Sequence, residues 1–491
     1  MRQRKVALTF GIENIFKHSF YNWNDTQLLT YDMEVFEFQA AKVVSKLETY
    51  GYYLDYLTAL KVLKGNYARG DVKRAVEFFL YFMEASELIV HQIDPTIELL
   101  GSENLNGVTC YLDSLLFAMF AKINCFEIML FQEGKDLVSK KLCTIIRLWV
   151  NMLRDGKLIT SDIILQVCDA LSECGWENAS KVQQDACEQL DFPLLTFKVV
   201  IAHGGKFNSE DDHKYVHERL LCVPIPGDFL SSETPISLED CLSEYFSNHV
   251  KVRRYIERSL SGRSIGKNIH QCFYGSGLVN DNNNIQEYSD HLGNFFYNDI
   301  VSLHSERDPS LVSAWQFFQL LPFYSDKKPD NLSQYFVERL PIVTICLKRY
   351  LCTMEGEAYC NNRKVLIPLT LELPYLISHE EISTNNSLEV KKYRLVLQSA
   401  VCHRSTGVTI SSGHYIALSR DIHSNKWFLF DDLACQKVSV FYDPDKILNS
   451  EMPYMLFYQL ESYLPTIPQK VSEIEFLKPM NDTPNVRDVS I

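Results

Sequence analysis

The fold class this sequence predicts is α+β. Helical periodicity dominates from about residue 31 to residue 200, and short β-branched or aromatic segments dominate after Leu220. The two kinds of segment follow one another rather than alternate. That order implies a helical half and a sheet half packed face to face around one core.

The first thirty residues read as an N-terminal extension. Within 31–84, EFQAAKVVSKLETYGY, LDYLTALKVLKGNYA and GDVKRAVEFFLYF each carry a helical stripe, broken at Gly51 and at Arg69-Gly70-Asp71. Asp71 is placed to cap the third helix. Residues 31–90 therefore form a helical segment, either a three-helix bundle packed on the rest or an accessory module. Helical patterns continue over 110–131, 139–155, 161–173 and 181–200. Strands are then expected at LLCVPIP, PIVTICLKRYL, KVLIPLTLEL, YRLVLQSAVCHR, HYIALSRD, KWFLFDD and YMLFYQL, separated by turn residues. Residues 260–300 are rich in Gly and Asn and read as a loop or insertion, and 464–491 read as a polar, flexible tail.

Composition bounds the function. A length of 491 residues allows two or three domains, or one large domain with an accessory. With 46% hydrophobic and 22% charged residues the chain reads as globular. The net charge of −14 speaks against nucleic acid, because phosphate binding needs a basic surface. No apolar run approaches the roughly 20 residues that span a bilayer, so no membrane partner is expected. The 14 cysteines are scattered and form no CxxC pair, which removes the usual structural zinc signature, and a secreted disulfide framework is not expected in a chain this long without a signal peptide. The expected compartment is reducing, cytoplasmic or nuclear. The basic start MRQRKVALTFGI leaves a mitochondrial address as the alternative.

Three groups carry candidate chemistry. In NLNGVTCYLDSLL, Leu112, Leu115, Leu116, Met119, Phe120 and Ile123 fall at helical spacing, so Cys110 begins a helix whose macrodipole favours a thiolate. In SSGHYIALSRD, His414 starts a strand after a turn. KWFLFDD returns as its antiparallel partner and brings Asp431 and Asp432 back toward the imidazole. Read alone, each has a plain alternative: Cys110 as a buried thiol, the aspartates as turn caps. Read together, they are a nucleophile, a base and an orienting acid.

These segments, in this order, resemble the ubiquitin-specific proteases, papain-like cysteine deubiquitinases. NLNGVTCYLDSLL resembles their cysteine box, and QQDACEQL (183–190) resembles the segment that follows it. ISLEDCLSEYF, LPIVTICLKRY and KVLIPLTLEL resemble the fingers entry and the core strands. YRLVLQSAVCHR with SGHYIALSRD resembles the histidine box, KWFLFDD the acid segment and PYMLFY the closing strand. The resemblance covers 100–460. It implies a helical thumb and a β-rich palm, with Cys110 as nucleophile, His414 as base and Asp431 as acid, Asp432 standing in as a second acid. Ubiquitin and ubiquitinated proteins are the implied partners, with no cofactor. Tyr50-Gly51-Tyr52 and GDVKRAVEFFL also resemble a ubiquitin-associated domain.

The sequence departs from that family at three points. Leu105 occupies the position, five before the cysteine, where an asparagine helps form the oxyanion hole; Asn104 and Asn106 flank it as candidates. The zinc-binding CxxC pairs of the fingers are missing, and Cys222, Cys241 and Cys272 are too far apart to replace them, so reduced fingers without zinc are expected. Asp113 stands where most members have asparagine, as in the cylindromatosis branch. Leu105 keeps a catalytically weak or inactive ubiquitin-binding scaffold open as the alternative.

Overall fold

The computed structural model describes residues 30–131, 136–176, 178–186, 199–205, 213–218, 220–226, 234–247, 249–252, 310–319, 342–352, 358–371, 382–384, 387–389, 392–405 and 413–463. The extension, the loop at 260–300 and the tail from 464 lie outside them.

Helices come first, as the periodicity requires. They are α1 (Thr30–Thr49), α2 (Tyr56–Lys64), α3 (Val72–Ser86), α4 (Cys110–Phe120), α5 (Leu137–Arg154) and α6 (Ser161–Glu173). The breaks fall at the expected residues, because Gly51, Arg69 and Gly70 take positive φ angles. Asp71 accepts from the backbone N–H groups of Lys73 and Arg74 and caps α3, and Asp55 caps α2 through Thr58.

The first three helices share their core with the helices that follow. Phe78, Phe79 and Phe82 of α3 are buried in the same cluster as Leu142, Ile145 and Trp149 of α5. Polar ties cross the same seam: Tyr81 donates to Asp155 at 2.8 Å, the Arg147 guanidinium donates to the Ala85 carbonyl at 2.6 Å, and the Tyr67 N–H donates to Asp162. On the outer side, Tyr50 and Tyr53 remain exposed while Tyr52 packs against the cluster.

The helix expected over 110–131 ends at Phe120, and that over 181–200 is corrected more strongly. Residues 181–185 form a non-helical turn, 187–198 lie outside the described residues, and Val199 already begins a strand. That turn carries Gln183 and Asp185, with Tyr454 donating to the Asp185 carboxylate at 2.9 Å, and Ala186 after it is helical.

The strands of the two largest sheets are β1 (Val199–Gly205), β2 (His213–Glu218), β3 (Leu221–Pro224), β4 (His249–Val252), β5 (Ser310–Gln319), β6 (Ile342–Lys348), β7 (Thr370–Leu371), β8 (Lys392–Ser405), β9 (Gly413–Arg420), β10 (Trp427–Phe430), β11 (Val438–Phe441) and β12 (Pro453–Tyr463). Two short helices, α7 (Leu238–Ser247) and α8 (Pro444–Ser450), lie among them. The eight-stranded palm sheet runs β11-β10-β9-β8-β12-β6-β3, with β7 paired to β8. A four-stranded sheet, β2-β1-β5-β4, stands apart from it.

Both faces of the palm are covered. Val401, Tyr415, Ala417, Phe430, Met455 and Phe457 join the helical core, whereas Ala400, Cys402, Ile416, Leu418, Leu456 and Tyr458 form a second cluster with Leu238 and Leu242 of α7. The alternation is the period of two that a strand imposes. Helix α4 lies against β9 and is buried at all eleven positions, with Phe117 stacked on Phe430 at 4.9 Å between centroids. Burying a ring of that size contributes about 1.5–3 kcal/mol. The buried Arg349, from the LKRY segment, donates to the carbonyls of Pro453, Asn361 and Arg363 and ties the end of β6 to β12.

Candidate active site

The site forms where α4 meets the palm. Strands β9 and β10 pair with Ala417 opposite Phe430 and Arg420 opposite Trp427, and Asp421 secures their turn by accepting from the His423 N–H and the Ser424 hydroxyl. That register returns Asp431 and Asp432 to His414. The His414 Nε2 lies 2.8 Å from Asp431 Oδ1 and 3.3 Å from Asp432 Oδ1. Asp431 Oδ1 also accepts from the Leu433 N–H, so the residue is a turn cap as well.

Cys110 is the first residue of α4 and is 1% exposed. The backbone N–H of Tyr415, the residue after His414, reaches its sulfur. With Nε2 held by the aspartates, Nδ1 is the imidazole nitrogen left for the thiol. The macrodipole does not decide the thiol's charge. Burial pushes Cys110 up to about 12, helped by the charges of Asp432 and Asp113 and opposed by the Tyr415 and Tyr111 N–H groups. Burial thus favours the thiol over the thiolate at rest.

The acids are pushed in opposite directions. Burial works to raise Asp431, but hydrogen bonds from His414 and Arg404 outweigh it and hold the carboxyl below its usual range. Burial raises Asp432, Asp431 adds to the rise, and His414, Lys437 and the Asn104 side chain pull against it. Asp431 is thus the stronger acid of the pair.

The stretch from residue 100 to residue 458 matches the family described as ubiquitin carboxyl-terminal hydrolase. The chain belongs to that family. Its activity class is therefore the cysteine-type ubiquitin C-terminal hydrolase, a thiol-protease deubiquitinase. Among solved structures the chain is similar to a SAGA Ubp8/Sgf11/Sus1/Sgf73 DUB module bound to ubiquitin aldehyde, at 16% identity and TM-score 0.45, covering 79% of this chain and 75% of that one. A yeast SAGA DUBm with a point mutant of Sgf73 is similar at 14% identity and TM-score 0.44, covering 79% and 75%. Membership rests on the sequence match.

In this hydrolase, the two flanking asparagines separate. Asn106 (φ 56°) and Gly107 (φ 72°) are both left-handed, which turns the chain sharply just before Cys110. Leu105 turns into the core, and its N–H donates to Thr109 Oγ1 at 2.9 Å. Asn104 Oδ1 accepts from the Thr109 N–H at 3.0 Å, while its side chain also reaches Asp432. The exposed Asn106 amide donates to the Ser180 carbonyl at 3.3 Å and is engaged there. Both asparagines are therefore engaged, Asn104 within the turn before Cys110 and beside Asp432, and Asn106 on Ser180.

Four groups at the site had no role assigned by their motifs. Arg404 sits opposite His414 in the β8–β9 register, donates to Asp431 Oδ2 at 2.7 Å and grips Glu451 with two further bonds. Its position beside a candidate base was a signal available in the hairpin pattern. Gln183 reaches Cys110, and His403 and Tyr350 stand behind it; the QQD segment carried Gln183 only as a likeness. Of the three fingers cysteines, Cys222 lies on β3, Cys241 is buried on α7, and Cys272 lies outside the described residues. Among the described residues, the grouping able to offer three metal ligands is His414, Asp431 and Asp432.

Asp113 is fully buried one helical turn after Cys110. Burial, then the Asp432 charge, raises its carboxyl well above the usual range, against a weaker pull from Thr109 and Ser102, and neither oxygen finds a partner at full hydrogen-bonding geometry. A carboxyl raised in the folded state contributes stability below the unfolded value near 4 and loses it as pH rises. Asp113→Asn is therefore expected to stabilise the protein at pH 8 by about 1–3 kcal/mol, with the gain shrinking toward pH 4. Urea unfolding at both pH values measures it, and a gain independent of pH would contradict the assignment.

Proposed function

We propose that Cys110, His414 and Asp431 form the triad that hydrolyses the isopeptide or peptide bond after the C-terminal glycine of ubiquitin, with ubiquitinated proteins as substrates. The observation that carries this reading is the 2.8 Å bond from His414 to Asp431, on a strand whose next N–H touches the Cys110 sulfur. As the Cys110 sulfur attacks the glycine carbonyl carbon, its proton passes to His414. The oxyanion is met by backbone N–H groups at the start of α4 and by the Asn104 amide. His414 then protonates the departing amine, leaving a thioester on Cys110. Water attacks the thioester, gives its proton to His414, and frees the ubiquitin carboxylate and the thiol.

One feature favours a second reading, a ubiquitin-binding scaffold with weak chemistry: the thiol is buried and far from ionisation. A ubiquitin probe with a C-terminal electrophile separates the two. The protease reading expects a covalent adduct at Cys110 that an equivalent electrophile without ubiquitin does not give. The scaffold reading expects binding with no adduct.

A further inference from the structure

His403 is a fully buried histidine outside the proposed triad, one residue before Arg404 on β8 and opposite Tyr415. Its ring packs on Tyr415 at 4.3 Å between centroids, and its backbone N–H donates to the Met452 carbonyl. Gly413 (φ +138°) leaves the room for it, since a Cβ there would stand 2.8 Å from His403 Nε2 and 2.5 Å from the Arg404 carbonyl. The imidazole is held on both edges. Nδ1 meets the Tyr350 hydroxyl in a short contact, and Nε2 lies 3.4 Å from the Gln183 amide nitrogen. On its other side, Gln183 presents Oε1 to the Cys110 sulfur at 3.8 Å.

The chemistry fixes every direction in this chain. An amide nitrogen only donates, so His403 Nε2 must carry its lone pair and Nδ1 its proton. That tautomer requires a neutral ring, which burial enforces, with His414 adding to the effect, by lowering His403 to about 4. With its NH₂ committed to His403, Gln183 can turn only its carbonyl toward Cys110. A carbonyl accepts from S–H and repels a thiolate. The opposite amide orientation would donate to sulfur and favour the thiolate.

We infer that Gln183 and His403 are positioning residues that hold Cys110 as a thiol in the resting enzyme, His403 acting through the orientation of the Gln183 amide. This rests on Cys110 being the nucleophile of the proposed function. It assigns to a second, neutral histidine the control of when that nucleophile ionises.

The test is the pH dependence of Cys110 alkylation by iodoacetamide in the full-length chain without ubiquitin, followed by mass spectrometry of the Cys110 peptide. Gln183→Met removes the carbonyl at similar volume, and His403→Phe keeps the ring but removes the acceptor that orients the amide. Both are expected to move the alkylation midpoint down by about one pH unit, or roughly tenfold faster labelling at a fixed pH below it. The double variant should match Gln183→Met. An unchanged or raised midpoint in Gln183→Met overturns the inference, as does an additive shift in the double variant. If His403→Phe alone fails to fold, the sign of the Gln183→Met shift still decides. Because no ubiquitin is present, this result is independent of whether the ubiquitin probe forms its adduct.

Discussion

Cys110→Ala is expected to reduce hydrolysis of a ubiquitin C-terminal conjugate to background, a loss of about 10⁴-fold or more, with ubiquitin still bound. His414→Ala should come close to it, and the reason lies in the resting thiol. Burial raises the Cys110 thiol and disfavours a preformed thiolate, so ionisation is coupled to the attack. The proton must pass to His414 as the sulfur attacks, or substrate must first relieve the burial. Steady-state hydrolysis and probe labelling of the two variants measure this. A His414→Ala enzyme within tenfold of the parent would show that the imidazole is not the base. Cys110→Ala with unchanged activity would move the nucleophile to another residue.

What could be read from the sequence follows the range of each signal. The helix start at Cys110, the strand start at His414 and the return of Asp431 to His414 were legible because each is a local pattern, the last closing over 17 residues. The helices at 30–86 were legible for the same reason, down to the Asp71 cap. Gln183 was not, since its role is set by partners 73 and 220 residues away that only the packed palm brings together. The strand SLVSAWQFFQ went unmarked although it is apolar and β-prone, because its partner β1 lies more than a hundred residues earlier and begins where the helical pattern was expected to end. The choice between Asn104 and Asn106 turned on which side chain the left-handed pair Asn106-Gly107 swings outward, and flanking letters do not encode that.

Asp431→Ala is expected to lower the turnover rate by about 10²-fold, and the double variant with Asp432→Ala by about 10⁴-fold, the cost of losing the orienting acid altogether. The difference follows from the geometry of one nitrogen. His414 Nε2 sits between two carboxylates, 2.8 Å from Asp431 and 3.3 Å from Asp432. Without Asp431, the imidazole can lean on Asp432, but burial makes that carboxyl the weaker acid and the poorer partner for an imidazolium. Arg404 sharpens the preference. Its bonds to Asp431 Oδ2 and to Glu451 fix the plane of the acid, leaving Oδ1 for the histidine. Arg404→Met should therefore cost roughly tenfold in turnover while leaving ubiquitin affinity unchanged, since misorientation of a base is felt in the chemical step. Single-turnover hydrolysis of the four variants orders these effects. If Asp431→Ala alone matches the double variant, Asp432 is no second acid. If Asp432→Ala is the more damaging single change, the carboxylate 3.3 Å from His414 has a role of its own, facing Asn104 and the oxyanion rather than the imidazole.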